Sequence, residues 1–283
     1  DKKIFSQSLF SISNIKKSAR NMINEKIENF LNAPFDSINF GDIRKTKIKD
    51  DTFIYWGEEP IGKLKKGKSV YKPIADALNS EYLSSENKLL VSAKLQKWLE
   101  IEINETIHPL NTNLYEDLNS EIRAIAFNCI ENFGNYPIEN FKDTLKTITQ
   151  ESKVQLSKIG IRIGAKYFFI PNLLKKKPLE FCAILWKTFY QSENEIDDFL
   201  PLPLNGRVSY FSEIKMPDSY WQSIGYINIK NFVFRIDIFE KIFFLARQKL
   251  KKGPFLESSD LMNPLGCNSD QLKDIMIFCG YEY

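Results

Sequence analysis

The apolar residues of this chain keep no single period, and this constrains the fold more than any other feature of the sequence. Between residues 84 and 107 they recur at helical spacing, as Val91, Leu95, Trp98, Leu99, Ile103 and Ile107. Between about Ile38 and Leu64 they come instead in short alternating runs, IRKTKIK, TFIYW and PIGKL. A helical period cannot keep to one face of a strand, nor a period of two to one face of a helix, so both kinds of element must be present. The expected class is α+β: mainly helical, with a small antiparallel β-meander near the N-terminus and short β-hairpins in the C-terminal third.

Local punctuation extends this reading. Residues 1–35 carry a helical pattern in Ala19, Met22, Ile23 and Ile27, and Ser84 or Ser85 caps the helix over 84–107. A second helix is expected from the capping pair Asn113 and Glu116 to the stop at Gly134, with Leu114, Leu118, Ile122, Ile125, Cys129 and Phe133 as its stripe. A third is expected from Ile138 to Gly160, and short connections predict that the three pack as antiparallel neighbours. Ile161 to Ile170 reads as one strand closed by Pro171, and Pro178 opens a helix through Phe181, Leu185 and Phe189. Beyond Pro217 the order is a short helix ended by Gly225, a hairpin over INIKNFVFRID, an amphipathic helix over IFEKIFFLARQKLKK, and two short helices around Gly266-Cys267-Asn268. Three regions follow: 1–80 (helix plus meander), 81–156 (helical bundle) and 157–283 (a basic α+β region ending in a helical hairpin).

Several classes of chemistry find no support in the sequence. GEEPIGKL, residues 57–64, sets Gly57, Gly62 and Lys63 where a phosphate-binding loop needs them, but Leu64 replaces the metal-binding hydroxyl. Glu58 and Glu59 would repel a triphosphate and Pro60 has no N–H to give, so a β-hairpin is the better reading. The single histidine, His108, follows a helix and reads as a helix-end cap. Asp50-Asp51 and Asp197-Asp198 sit in turn-like polar clusters, where solvated turns explain them. Four scattered cysteines without a C-x-x-C suggest reduced core residues and an intracellular, cytoplasmic protein. No apolar run is long enough to span a bilayer, so no membrane partner is expected. The start at Asp1 instead of methionine suggests a piece of something longer.

Net charge is only +3, so any nucleic-acid surface must be local. Between Glu151 and Lys187 eight basic residues face two acidic ones, a balance of +6. Arg162, Lys166, Lys175, Lys176 and Lys177 are candidate phosphate contacts, with Tyr167 or Phe169 as candidate base-stacking rings. The competing reading is that the aromatics are core and the lysines merely solvated. The last two helices have the outline of a helix-turn-helix, but Asp270, Lys273 and Asp274 give the second no positive balance, which favours simple helical packing.

The runs GIRIGAKYFFIPNLLKKKP, LWKTFY, GYINIKNFVFRIDIFEKI and LMNPLGCNSDQLKDIMIFCGY, preceded by FIYWGEEPIGKLKKG, LQKWLEIEINETIHPL and EIRAIAFNCIENFG, resemble the C-terminal extension of alphaproteobacterial superfamily-two helicases. Those are similar to the mitochondrial RNA-degradosome helicase. The resemblance covers nearly the whole chain. It implies a non-catalytic accessory region that guides single-stranded nucleic acid, RNA more than DNA, for a helicase core on the same polypeptide. ATP and magnesium would then bind in that upstream core and no cofactor in this chain. An alternative is a module docking a protein partner, such as a nuclease, onto the helicase. The elements that match the family are Gly160, Arg162 and Gly164, then Pro171, Leu173, Leu174 and Lys175.

Overall fold

The computed structural model describes residues 17–41, 52–79, 83–110, 118–190, 200–204 and 206–282. The chain is mixed α+β, with three small antiparallel sheets among helices. It divides into two compact units, Asp1–Thr106 with Ile184–Leu200, and Ile107–Ala183 with Pro201–Tyr283.

The first unit is a four-stranded antiparallel sheet of β1 (Ile38–Asn39), β2 (Phe53–Trp56), β3 (Glu59–Lys65) and β4 (Ile74–Ala77), accompanied by helices α1 (Lys17–Asn32) and α2 (Ser85–Thr106). The expected meander is present, except that IRKTKIK lies outside the described residues. Residues 57–64 form the expected hairpin. Trp56 pairs with Glu59 across Gly57-Glu58, and the positive φ of 62° at Gly57 is the geometry that a two-residue turn favours. No phosphate cradle exists here: the Leu64 N–H is given to the Thr52 carbonyl at 2.8 Å, and the Leu64 side chain is buried.

Helix α2 begins where the sequence places it, with the Ser84 hydroxyl accepting the Asn87 N–H at 3.2 Å. It lies close against the sheet, because a Cβ on Gly62 would come within 2.4 Å of Leu95 Cδ1. The same helix completes the outer strand. Gln96 Oε1 accepts the Ala75 N–H at 2.9 Å, and Ser92 Oγ accepts the Ala77 N–H at 2.9 Å. Lys94 caps α1, its ammonium donating to the carbonyls of Phe30 (2.6 Å), Leu31 (3.0 Å) and Ala33. Met22, expected on the apolar face of α1, is 60% exposed, whereas Ile23, Ile27 and Phe30 are buried.

In the second unit, helix α3 (Ser120–Glu131) starts later than the sequence suggests. Asn119 caps it, accepting the Ile122 N–H at 3.0 Å; Asn113, Leu114 and Glu116 lie outside the described residues. Strand β5 (Asn135–Pro137) follows the Gly134 stop. The helix expected from Ile138 to Gly160 is divided into a 3₁₀ turn (Ile138–Phe141), α4 (Lys142–Thr147) and α5 (Gln150–Lys158). Thr149 causes the second break: its Oγ1 takes the Ser152 N–H at 3.1 Å and restarts the helix, while Ile148 is extended. Helix α2 thus belongs to the first unit and packs on its sheet, while α3 packs with α5 in the second.

The single strand expected over Ile161–Ile170 is instead a hairpin of β6 (Arg162–Ile163) and β7 (Tyr167–Phe169), giving a sheet of order β5-β7-β6. A 3₁₀ turn, Pro171–Leu174, leads to α6 (Lys176–Tyr190), of which the residues up to Ala183 belong to this unit. The rest of the unit comprises β8 (Ser209–Phe211), α7 (Asp218–Ser223), β9 (Tyr226–Ile229), β10 (Phe232–Arg235), α8 (Ile236–Leu250), α9 (Ser259–Met262) and α10 (Ser269–Phe278). The third sheet has order β8-β10-β9, and β8, like β4 and β5, lies outside the strands expected from the sequence. Phe234, Phe239, Ile242, Leu261, Leu265 and Ile275 are fully buried in the core beneath these last helices.

Two glycines set how closely this unit packs. A Cβ on Gly134 would fall 2.3 Å from Leu173 Cδ1, and one on Gly225 2.2 Å from Leu174 Cδ2. The Pro-x-Leu-Leu turn therefore wedges one leucine against the end of α3 and the other against the end of α7. Between the same ends, Asn135 Nδ2 donates to the Gln222 carbonyl at 2.7 Å, and Gln222 Nε2 donates to Asn132 Oδ1 at 3.3 Å.

Gly134→Ala should cost about 2–4 kcal/mol in urea unfolding, from left-handed backbone strain plus overpacking against Leu173. Gly57→Ala, at a position with nothing within 4 Å, should cost only about 1–2 kcal/mol, from the backbone alone. Equal losses at the two positions would show that the leucine wedge adds nothing.

Candidate functional site

The hairpin β6–β7 carries most of the candidate residues, and a buried carboxylate decides its shape. Glu240, on α8, is 6% exposed and accepts backbone N–H groups from Ala165, Lys166 (3.1 Å) and Tyr167 (2.7 Å). Successive N–H groups of a turn aimed at one anion form a nest. Gly164 makes room for it, since a Cβ there would meet Glu240 Oε2 at 2.4 Å. Burial pushes the Glu240 carboxyl above its usual value of 4.5, although the three backbone donors and Lys166 pull the other way. The glycine of the G-x-R-x-G element and the anion that requires it are thus far apart in sequence and adjacent in space.

The nest fixes the fate of three candidates. Lys166 Nζ donates to the Phe278 carbonyl at 3.0 Å, capping the last turn of α10, and stands 5.0 Å from the Phe278 ring and 5.7 Å from that of Phe243. It is a structural cation. Tyr167 is half-buried and packs edge-on to Phe239 at 6.0 Å, with burial pushing its hydroxyl up to about 12. Phe169 is 8% exposed and Phe168 wholly buried. The stacking role expected of Tyr167 or Phe169 is therefore corrected: alternate aromatics on both faces of this strand build the core.

Arg162, Lys175, Lys176 and Lys177 are exposed, as is Lys158 at the end of α5, a residue not singled out from the sequence. Topology gathers them. Arg162 opens β6 directly opposite Phe169, which closes β7, so the chain leaves the hairpin at the end where Arg162 sits. Gly160, between Lys158 and Arg162, lies near Ile170, since a Cβ there would stand 3.9 Å from Ile170 Cγ2. From there the four-residue 3₁₀ turn advances the chain only about 8 Å before Lys175. Other lysines are matched to carboxylates, as in Lys142–Glu139, Lys146–Asp143 and Lys230–Asp274. Lys158, Arg162, Lys175 and Lys176 have no carboxylate partner among the described residues.

The other candidates stay apart from this surface. His108 is exposed on a 3₁₀ turn, and among the described residues no three His, Cys, Asp or Glu side chains could hold a metal. Cys129 and Cys182 are buried free thiols, pushed up to about 12 by desolvation. Both aspartate pairs lie outside the described residues. An open apolar groove of about 480 Å³ in the first unit, lined by Leu31, Pro34, Phe35 and Ala93, includes Lys94, whose ammonium already caps α1. Lys187, counted in the basic balance, is wholly buried. Among the described residues no helix is long and apolar enough to cross a membrane.

Comparison with known proteins points away from helicases. The chain is 26% identical over 237 residues to the nuclear exosome regulator NRDE2 of Dictyostelium discoideum. That alignment takes in 76% of this chain and 17% of the relative, so the chain spans about a sixth of that protein. No protein-family model and no solved structure matches the chain. The resemblance to helicase extensions is overturned by the similarity to an exosome regulator, and with it go the accessory role, the helicase core as partner and the implied dependence on ATP. The G-x-R-x-G and P-x-L-L-K elements that carried the resemblance are accounted for by the Glu240 nest and the leucine wedge.

Glu240→Ala leaves buried N–H groups without an acceptor and should cost about 3 kcal/mol in chemical denaturation. Glu240→Gln tests the charge. Because the folded value is raised, ionising Glu240 should subtract stability as pH rises above 4.5 through the folded value, and below that window the loss is absent. The glutamine variant should lack that part of the pH dependence; an unchanged pH profile would contradict the buried carboxylate.

Proposed function

We propose that this chain is a binding module of RNA metabolism that contacts RNA phosphates through Lys158, Arg162, Lys175 and Lys176. The observation that carries the reading is the surface at the open end of the β6–β7 hairpin, where four exposed cations have no carboxylate partner among the described residues. Unmatched lysine and arginine side chains retain counterions that a phosphate backbone can displace, which supplies affinity without base contacts. The positive end of the α6 helix dipole adds to the same field, since Lys176 opens that helix. The similarity to a nuclear exosome regulator supports a regulatory role in RNA processing, with RNA as the partner we favour.

The arrangement offers little for chemistry. Among the described residues His108 is exposed, while the Cys129 and Cys182 thiols and the Glu240 carboxylate are buried. The positioning of phosphate is the work we assign to this surface.

Filter binding to a natural structured RNA tests the proposal. Four phosphate contacts predict a fall in affinity of about 100-fold between about 50 and 200 mM salt. The variant Arg162→Gln, Lys175→Gln, Lys176→Gln should reduce this to about fourfold, as one contact remains of those four. Lys142→Gln and Lys146→Gln, which remove paired lysines, should leave binding unchanged. Salt-insensitive binding to protein, with RNA untouched by the charge variant, would overturn the RNA reading and direct attention to Phe244, Ile277 and Phe278, which are exposed on the last helices.

A further inference from the structure

The three-stranded sheet beside the cations could in principle have been a platform for bases, and its packing closes it. Successive side chains of β7 point to opposite faces. On one face Phe168 is wholly buried and meets the Phe141 ring edge-on at 6.0 Å, with Tyr136 at 6.0 Å from the same Phe141. On the other, Tyr167 packs on Phe239, and Phe169, in register with the buried Asn135, is 8% exposed. The rings of Phe168 and Phe169 are thus covered, and Tyr136, Phe141 and Tyr167 are half-buried. Phe181 and Trp186 on α6 are buried as well. Phe278, 41% exposed, lies beside Lys166 at the turn end of the hairpin, with the Lys166 ammonium 5.0 Å from its ring.

Sequence-tolerant binding of single strands depends on aromatic side chains that receive unstacked bases. An A-form duplex keeps its bases stacked inside and presents phosphates and 2′-hydroxyls, which are recognised by shape and by cationic contacts along the backbone. We infer that the surface of Lys158, Arg162, Lys175 and Lys176 grips the phosphate backbone of double-helical RNA and does not hold single-stranded bases. This replaces the single-stranded partner expected from the sequence, and it rests on the RNA-contact reading above. The physical basis is the division of labour within one segment: its cations are outside and its rings are inside.

The test compares two probes on the full chain: a blunt RNA duplex of about 16 base pairs, long enough to present two successive minor grooves, and oligouridine of the same length. The duplex should bind at least about tenfold more tightly, with a log–log salt slope of about −3.6 for four contacts. Quenching of intrinsic tryptophan or tyrosine fluorescence, the signature of base stacking, should be absent with either probe. Replacing Lys158, Arg162, Lys175 and Lys176 together by glutamine should abolish the duplex preference; circular dichroism would verify that this variant is folded, and each single variant should lower the slope by about 0.9. Oligouridine bound as tightly as the duplex, with both lost in the charge variant, would overturn the duplex inference and leave the RNA surface standing. Loss of neither in that variant, or no binding of either probe, would overturn the surface itself.

Discussion

The second unit depends on a carboxylate placed where the chain turns. Without the Glu240 carboxylate, three N–H groups between Ala165 and Tyr167 would converge on empty, poorly hydrated space, and a hairpin with strands of two and three residues has little else to hold it. With it, the turn is tied to α8, Gly164 is obligatory, and Lys166 is aimed at the end of α10. One carboxylate therefore orders the hairpin, the long helix and the last helix together. Its burial is tolerated because hydrogen bonds replace the lost water, the condition under which a charge inside a protein does not unfold it.

Much of the architecture was legible where one physical cause dominates. The Gly57 hairpin, the Ser84 cap, the Gly134 and Gly160 stops and the hairpin turning at Lys230-Asn231 all follow from local chemistry, and the structure has each of them. Where two local causes compete, the sequence misleads. Ile138 to Gly160 keeps a helical pattern, but Thr149 offers its hydroxyl to Ser152 and breaks it. The Ile161–Ile170 run looks like one strand because its β-formers alternate, yet a glycine and a glutamate 76 positions away fold it back on itself. A trace of this partner existed in the sequence: Glu240 falls on the same face of α8 as Ile236, one position from Phe239, where a charge is out of place unless it has donors.

The candidate surface divides along the same line. Charge was readable, since a lysine run before a helix has few ways to be buried, and Arg162 and Lys175 to Lys177 are exposed. The fate of the rings was not, because a Tyr-Phe-Phe run in a strand presents side chains to both faces and only tertiary packing decides which face is covered. Lys166 shows the limit for cations too: its neighbours in sequence are basic, but its neighbours in space are a carbonyl and two aromatic faces.

Helix α2 has a consequence for the first unit. Strand β4 lies at the rim of its sheet, and the amides that would have projected outward from Ala75 and Ala77 are received by Gln96 and Ser92. A rim finished in this way offers no template for another copy to zip onto, so crowding or transient exposure during synthesis does not seed cross-β growth from that side. The two polar side chains thereby act as gatekeepers against self-association.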